Sequence, residues 1–139
     1  MQTKQVRAFK RRLEHYVDDL QRVSDLDEKI ELCFHKLGGV KGIDPSKEPI
    51  HAQMDKDIEY KIRDDIEKYE ALKRVYESNV IYVNSVLDLI EEETREAIKK
   101  VYIYGERQEK VASKMYLSRS TLRDRMDSRI KLALEKKED

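Results

Sequence analysis

Glycine and proline are almost confined to one place in this chain. Of four glycines and two prolines, all but Gly105 fall in the segment GGVKGIDPSKEP, residues 38–49. In a helix interior glycine costs about 1 kcal/mol and proline about 3 kcal/mol relative to alanine. The stretches before residue 38 and from 50 to 104 carry neither penalty. Such punctuation points to a few long helices.

Apolar spacing agrees. Val6, Phe9, Leu13, Tyr16, Leu20 and Val23 recur at alternating intervals of three and four, as one helical face requires. The stripe resumes at Leu26, Ile30, Phe34 and Leu37. Ser24 or Asp25 is able to cap a new helix, answered by Asp27 or Glu28. The region is thus either one helix to about residue 37 or two helices bent near 24–25. Gly38-Gly39 ends it, because glycine takes the left-handed C-terminal position cheaply, and a loop follows over about 38–53. A second stripe runs through Met54, Ile58, Ile62, Ile66, Tyr69, Leu72 or Lys73, Tyr76, Val80, Val83, Leu87 and Ile90. Sustained over several heptads, this is a coiled-coil seam. Two long helices joined by a short loop should pair as an antiparallel hairpin. The same stripes also allow pairing between chains, so a homodimer through this arm stays open. Tyr60, Tyr69, Tyr76, Tyr82, Tyr102 and Tyr104 mostly follow the helical period and read as seam and core.

The fold class predicted is all-α: a long, coiled-coil-like helical hairpin over 1–86, followed by a helix-turn-helix over 87–139. With 139 residues the chain is one domain, or one small domain on an extended arm. The lone cysteine, Cys33, rules out an intramolecular disulfide and a cysteine zinc cluster, and a reducing cytoplasm is its natural setting. Cys33 and His35 do not share a helical face, and His15, His35 and His51 show no metal-binding spacing. No phosphate-binding glycine loop occurs. The expectation is a non-enzyme with no metal and no cofactor. No segment approaches the ~20 apolar residues of a membrane span, and MQTKQVRAFKRR at the start lacks the apolar run of a signal peptide.

Charge is balanced overall, 29 cationic against 29 anionic side chains, but unevenly placed. Residues 54–96 hold seven Lys/Arg and thirteen Asp/Glu; residues 105–137 hold ten and five. That basic segment, GERQEKVASKMYLSRSTLRDRMDSRIKLALEKK, reads as a short helix, a tight break and a longer arginine-rich helix. A supporting helix from about Glu91 or Glu92 to Tyr104 precedes it, buried through Leu87, Ile90, Ala97, Ile98, Val101 and Tyr102. Glu91, Glu92 and Glu93 suit the positive end of its dipole, and Gly105 ends it. Val111 and the small Ala112 face inward from the next helix, Leu117 plugs the turn at Tyr116-Leu117, and Ser118 caps the last helix. Leu122, Met126, Ile130, Ala133 and Leu134 form that helix's inner face.

This order of features is the grammar of a DNA reader. In a helix-turn-helix the first turns of the second helix enter the major groove, which assigns base readout to Arg119, Ser120, Arg123 and Asp124. Arginine matches the two acceptors of guanine, and an aspartate accepts from cytosine. Phosphate contacts, which set register, fall to Gln108, Lys110, Lys114, Ser118, Thr121, Arg125, Arg129 and Lys131. Arg123 is also spaced to pair with Asp127, a weak contact that DNA could displace. A hairpin returns residue 90 to the amino terminus, where Lys4, Arg7, Lys10, Arg11 and Arg12 either extend the DNA-facing surface or form an ordinary solvated helix start.

From about Leu87 to Leu134, on the run ETREAIKKVYIYGERQEKVASKMYLSRSTLRDRMDSRIKLAL, the chain resembles region 4 of bacterial sigma factors, the part that reads the −35 promoter element. With its helical arm and GGVKGIDPSKEP loop, the whole chain is similar to small phage-encoded transcription activators of the RinA and ArpU type. The resemblance implies a sequence-specific regulator of phage late genes, acting on double-stranded DNA at a promoter in a bacterial host, with RNA polymerase a further partner. It departs from the pattern at Tyr116, where glycine usually stands, and at Arg125, where an apolar residue often lies and Met126 takes over the packing. Two other readings remain: a small terminase-like packaging protein, and a coiled-coil adaptor without a DNA role.

Overall fold

A computed structural model describes residues 3–38 and 55–138. The predicted loop over 39–53, with Met54 of the seam, lies outside the described residues. Those residues form helices and turns, with no strand among them. Helix α1 runs Lys4–Gly38, α2 Lys56–Leu87, α3 Glu92–Ile98, α4 Gln108–Lys114 and α5 Arg119–Glu138. Helix α1 is one element, so the bend considered at Ser24-Asp25 does not occur. No helix among the described residues is long and apolar enough to cross a membrane.

Packing divides the chain into two compact units, one of residues 3–19 with 78–138 and the other of 20–38 with 55–77. The unit that contains the tail is therefore wider than the segment 87–139 marked out from the sequence. Its core explains why. Val6, Phe9 and Leu13 from α1 join Val83, Val86 and Leu87 from α2, Ile90, Ala97 and Ile98, then Val111, Ala112, Leu122, Met126, Ile130 and Ala133 in one buried cluster. Fully burying a side chain of this size stabilises by roughly 1.5–3 kcal/mol. The apolar face of α5 is covered by α3 and α4, and the first turns of α1 lie in the same cluster. The Phe9 and Tyr82 rings meet edge to face, 6.3 Å apart.

The second unit is a thinner assembly. Leu26, Cys33 and Ile66 are its buried apolar residues. Its helices pair antiparallel: Arg22 stacks on Tyr76, Lys29 on Tyr69, and Asp27 meets Lys73 at 2.6 Å. Lys73 thus occupies the seam and Leu72 is exposed. The Asp27 carboxylate, chiefly through that hydrogen bond, raises the Lys73 pKa above its ordinary value.

Three stripe positions and two tyrosines read from the sequence as seam or core are corrected here. Leu20 is 43% and Phe34 54% exposed, while Asp19 and Cys33 are buried. Beyond Tyr16 the buried face advances by three residues to Asp19 rather than by four to Leu20. A buried carboxylate is tolerated only with a donor, and Asn79 supplies one, Nδ2 to Asp19 Oδ2 at 2.6 Å. Ile58, Tyr60 and Tyr104 are likewise exposed rather than seam or core, whereas Tyr69, Tyr76, Tyr82 and Tyr102 are half-buried.

Candidate nucleic-acid interface

Three local devices shape the end of the chain. First, α3 does not stop at Ile98 but widens into a π turn over Lys99–Ile103, where the Lys99 carbonyl accepts from the Tyr104 amide at 2.9 Å. Gly105, at φ 72°, then reverses the chain. The supporting helix expected to reach Tyr104 is therefore α-helical only in its first half.

Second, α4 closes in a Schellman motif. The Leu117 amide donates to the Ala112 carbonyl at 2.9 Å and the Tyr116 amide to the Ser113 carbonyl at 3.1 Å, the two bonds that define this cap. The motif needs a left-handed residue between them, and Tyr116 provides it at φ 59°. The left-handed conformation costs a non-glycine residue roughly 1–2 kcal/mol. Leu117, next in line, packs on the core cluster that contains Val111, Ala112 and Leu122.

Third, Ser118 caps α5. Its hydroxyl oxygen accepts from the Thr121 amide at 3.2 Å and its proton goes to Thr121 Oγ1 at 2.7 Å. Such a cap stabilises by about 1 kcal/mol. Beyond it Leu122, Met126, Ile130 and Ala133 are buried. Arg125 is half-exposed and Met126 fully buried, so Met126 takes the packing position.

Arg119, Ser120, Arg123 and Asp124 consequently stand exposed on the first turns of α5. Ser118, Thr121, Lys110, Lys114, Arg129 and Lys131 are exposed too; Gln108 and Arg125 are half-exposed. Several of these cations rest on carboxylates. Arg119 Nη1 lies 3.3 Å from Glu109 Oε1, tying α5 to α4. Arg123 Nε is 4.0 Å from Asp124 Oδ1, and Lys110 Nζ is 3.8 Å from Glu106. Exposed pairs of this kind contribute about 0–1 kcal/mol, little enough for an incoming phosphate or base to replace. Arg129 is held more firmly. Its Nε is 3.0 Å from Glu91 Oε1, an oxygen that also accepts from the buried Thr94 hydroxyl at 2.7 Å. The Thr94 bond first, then Arg129, lowers the Glu91 pKa below the usual carboxylate range.

Lys10 differs from its assignment as an auxiliary DNA contact. It is 8% exposed, its ammonium sits 2.5 Å from Asp127 Oδ1, and it lies 5.3 Å from the Tyr102 ring centre. This buried clamp binds α1 to the middle of α5 and removes Lys10 from any open surface. It also diverts Asp127 from the pair with Arg123 that the i, i+4 spacing suggested. Asp127 follows the fully buried Met126 and is itself half-buried. Lys4, Arg7 and Arg11 remain exposed and line an open concavity of about 560 Å³ with Gln5 and Ala8. Arg12 is exposed but engaged, over the Tyr82 ring and near Asn79.

The Lys10–Asp127 clamp and the Arg129–Glu91 link escaped the sequence reading, because each joins residues far apart along the chain. No group of three or more potential metal ligands converges among the described residues. Compared with known proteins, the chain matches no family model, no curated protein and no solved structure.

Proposed function

We propose that this protein binds double-stranded DNA in a sequence-dependent way and regulates transcription, with α4 and α5 acting as a helix-turn-helix of the sigma region 4 kind. One observation carries the reading. A Schellman-capped short helix with Val111 and Ala112 on its inner side meets a Ser118-capped helix, and the first turns of the latter display Arg119, Ser120, Arg123 and Asp124 to solvent. A helix so presented fits the major groove, which is wide enough to admit one. Arg119 and Arg123 would address guanine, and Asp124 a cytosine amine. Lys110, Lys114, Thr121, Arg125 and Lys131 would hold the flanking phosphates, with Gln108 at the start of α4. Lys4, Arg7 and Arg11 would add long-range attraction for a polyanion.

In this reading the protein is a promoter-acting regulator of phage late genes resembling the RinA and ArpU activators, and its arm serves self-association or contact with RNA polymerase. Selection of binding sites from a random duplex pool, followed by footprinting on the DNA that encodes the protein, tests it. A protected promoter supports regulation; a protected packaging site, or no selected motif, contradicts it. At a selected site Arg123→Ala should cost about 1–3 kcal/mol, and much less on random DNA. Equal losses on both would reject base readout by Arg123.

A further inference from the structure

We infer that Tyr116 is a contact residue for the sugar-phosphate backbone of the duplex that α5 engages, an inference that rests on the DNA-binding proposal above. Tyr116 is the one non-glycine residue at positive φ among the described residues, at a position where glycine fits without strain. Strained residues persist where the surrounding structure over-determines them or where function retains them. Here the surroundings ask nothing of the ring. The side chain is 96% exposed and takes part in no hydrogen bond or ring contact among the described residues. The Schellman bonds that fix the turn use backbone atoms alone, and any residue with a backbone N–H can make them. The fold would be served better by glycine.

What the phenol adds is a hydroxyl donor on a rigid, two-torsion side chain, which loses little freedom on binding. Its neighbours in the chain are suited to an anion. Lys114 and Arg119 flank it, Ser118 and Ser120 bring further hydroxyls, and all four are exposed. Tyrosine hydroxyls are among the groups that anchor proteins to phosphate oxygens. Tyr116 thus sets how the turn seats on one strand, while Arg119 and Arg123 address the bases beside it.

The test compares wild type, Tyr116→Gly and Tyr116→Phe, by thermal melting and by fluorescence anisotropy with a labelled random-sequence duplex of about three helical turns. Relief of strain should raise the Tm of Tyr116→Gly by roughly 2–5 °C, while its affinity falls about five- to tenfold. Tyr116→Phe keeps the strain and loses the hydroxyl: its Tm should stay at the wild-type value and its affinity fall about threefold. A stabilised glycine variant that binds as tightly as wild type overturns the inference and leaves the DNA-binding proposal standing. A glycine variant with an unchanged or lower Tm overturns it as well, by removing the strain. Wild-type protein that does not bind the duplex overturns both.

Discussion

The two compact units are built from the same two long helices, yet they bury their stripes to different depths. In the unit of residues 3–19 and 78–138, Leu13, Val83, Val86, Ile98, Leu122, Met126 and Ile130 are wholly excluded from solvent. In the unit of 20–38 and 55–77, even the most buried apolar residues keep some contact with water, and Leu20, Phe34, Ile58 and Leu72 are largely open. Apolar periodicity is equally regular in both. What differs is the number of layers. A pair of helices can cover only a narrow strip on each, so its margins fall to charged and aromatic contacts such as Asp27–Lys73 and Arg22 on Tyr76. Where α3, α4 and α5 pack against the pair, the strip widens into a core. Stripe regularity therefore predicts helix formation, while depth of burial depends on what packs from outside.

Core truncation should expose this contrast most strongly. Leu122→Ala should destabilise the protein by about 3–4 kcal/mol in urea unfolding, and Ile66→Ala by about 2 kcal/mol, at the low end for large-to-small changes because its site is shallower and collapses more easily. Equal losses would break the comparison. The Lys10–Asp127 clamp comes next. Lys10→Met leaves a nearly buried carboxylate unpaired, which should cost about 2–3 kcal/mol, somewhat below the penalty for a fully buried pair. Lys73→Met, at the exposed Asp27 pair of the other unit, should change stability far less, since partly solvated ion pairs contribute little. The smallest effect is pH-dependent. The folded-state pKa of Glu91 is lowered from its ordinary 4.5 by Thr94 and Arg129. Its contribution is thus complete above that value and is lost as pH falls through the lower folded pKa. Glu91→Gln should therefore lower stability slightly at neutral pH, where the contribution is complete, and converge with wild type as pH falls well below about 4.5, flattening the acid limb; an acid limb as steep as that of wild type would remove the link between α3 and α5.

Local rules made much of this legible in advance. The Ala112 and Leu117 positions, the Ser118 cap and the Leu122 to Ala133 face each depend on residues a few places apart, and each has the location read from the sequence. The misplacements involve distant partners. Leu20 loses the seam to Asp19 because Asn79, sixty positions along, donates to that carboxylate. Lys10 looks like one more cation in a basic run until Asp127 comes round to meet it. Arg129 is exposed, as a phosphate contact needs to be, but its pairing with Glu91 across α3 is not visible in the sequence. Tyr116 lies between these cases: the turn is readable from Leu117 and Ser118, but a tyrosine in the left-handed position runs against the preference for glycine.

The most direct test of the account follows the backbone amides of nitrogen-labelled protein by NMR while a random-sequence duplex of about three helical turns is added at low salt. The account predicts that the largest shifts cluster from Ser118 to Asp124, with smaller ones at the start of α4, and that they vanish as salt rises and condensed cations reclaim the phosphates. Shifts confined to α2, or an unperturbed spectrum at low salt, would contradict it.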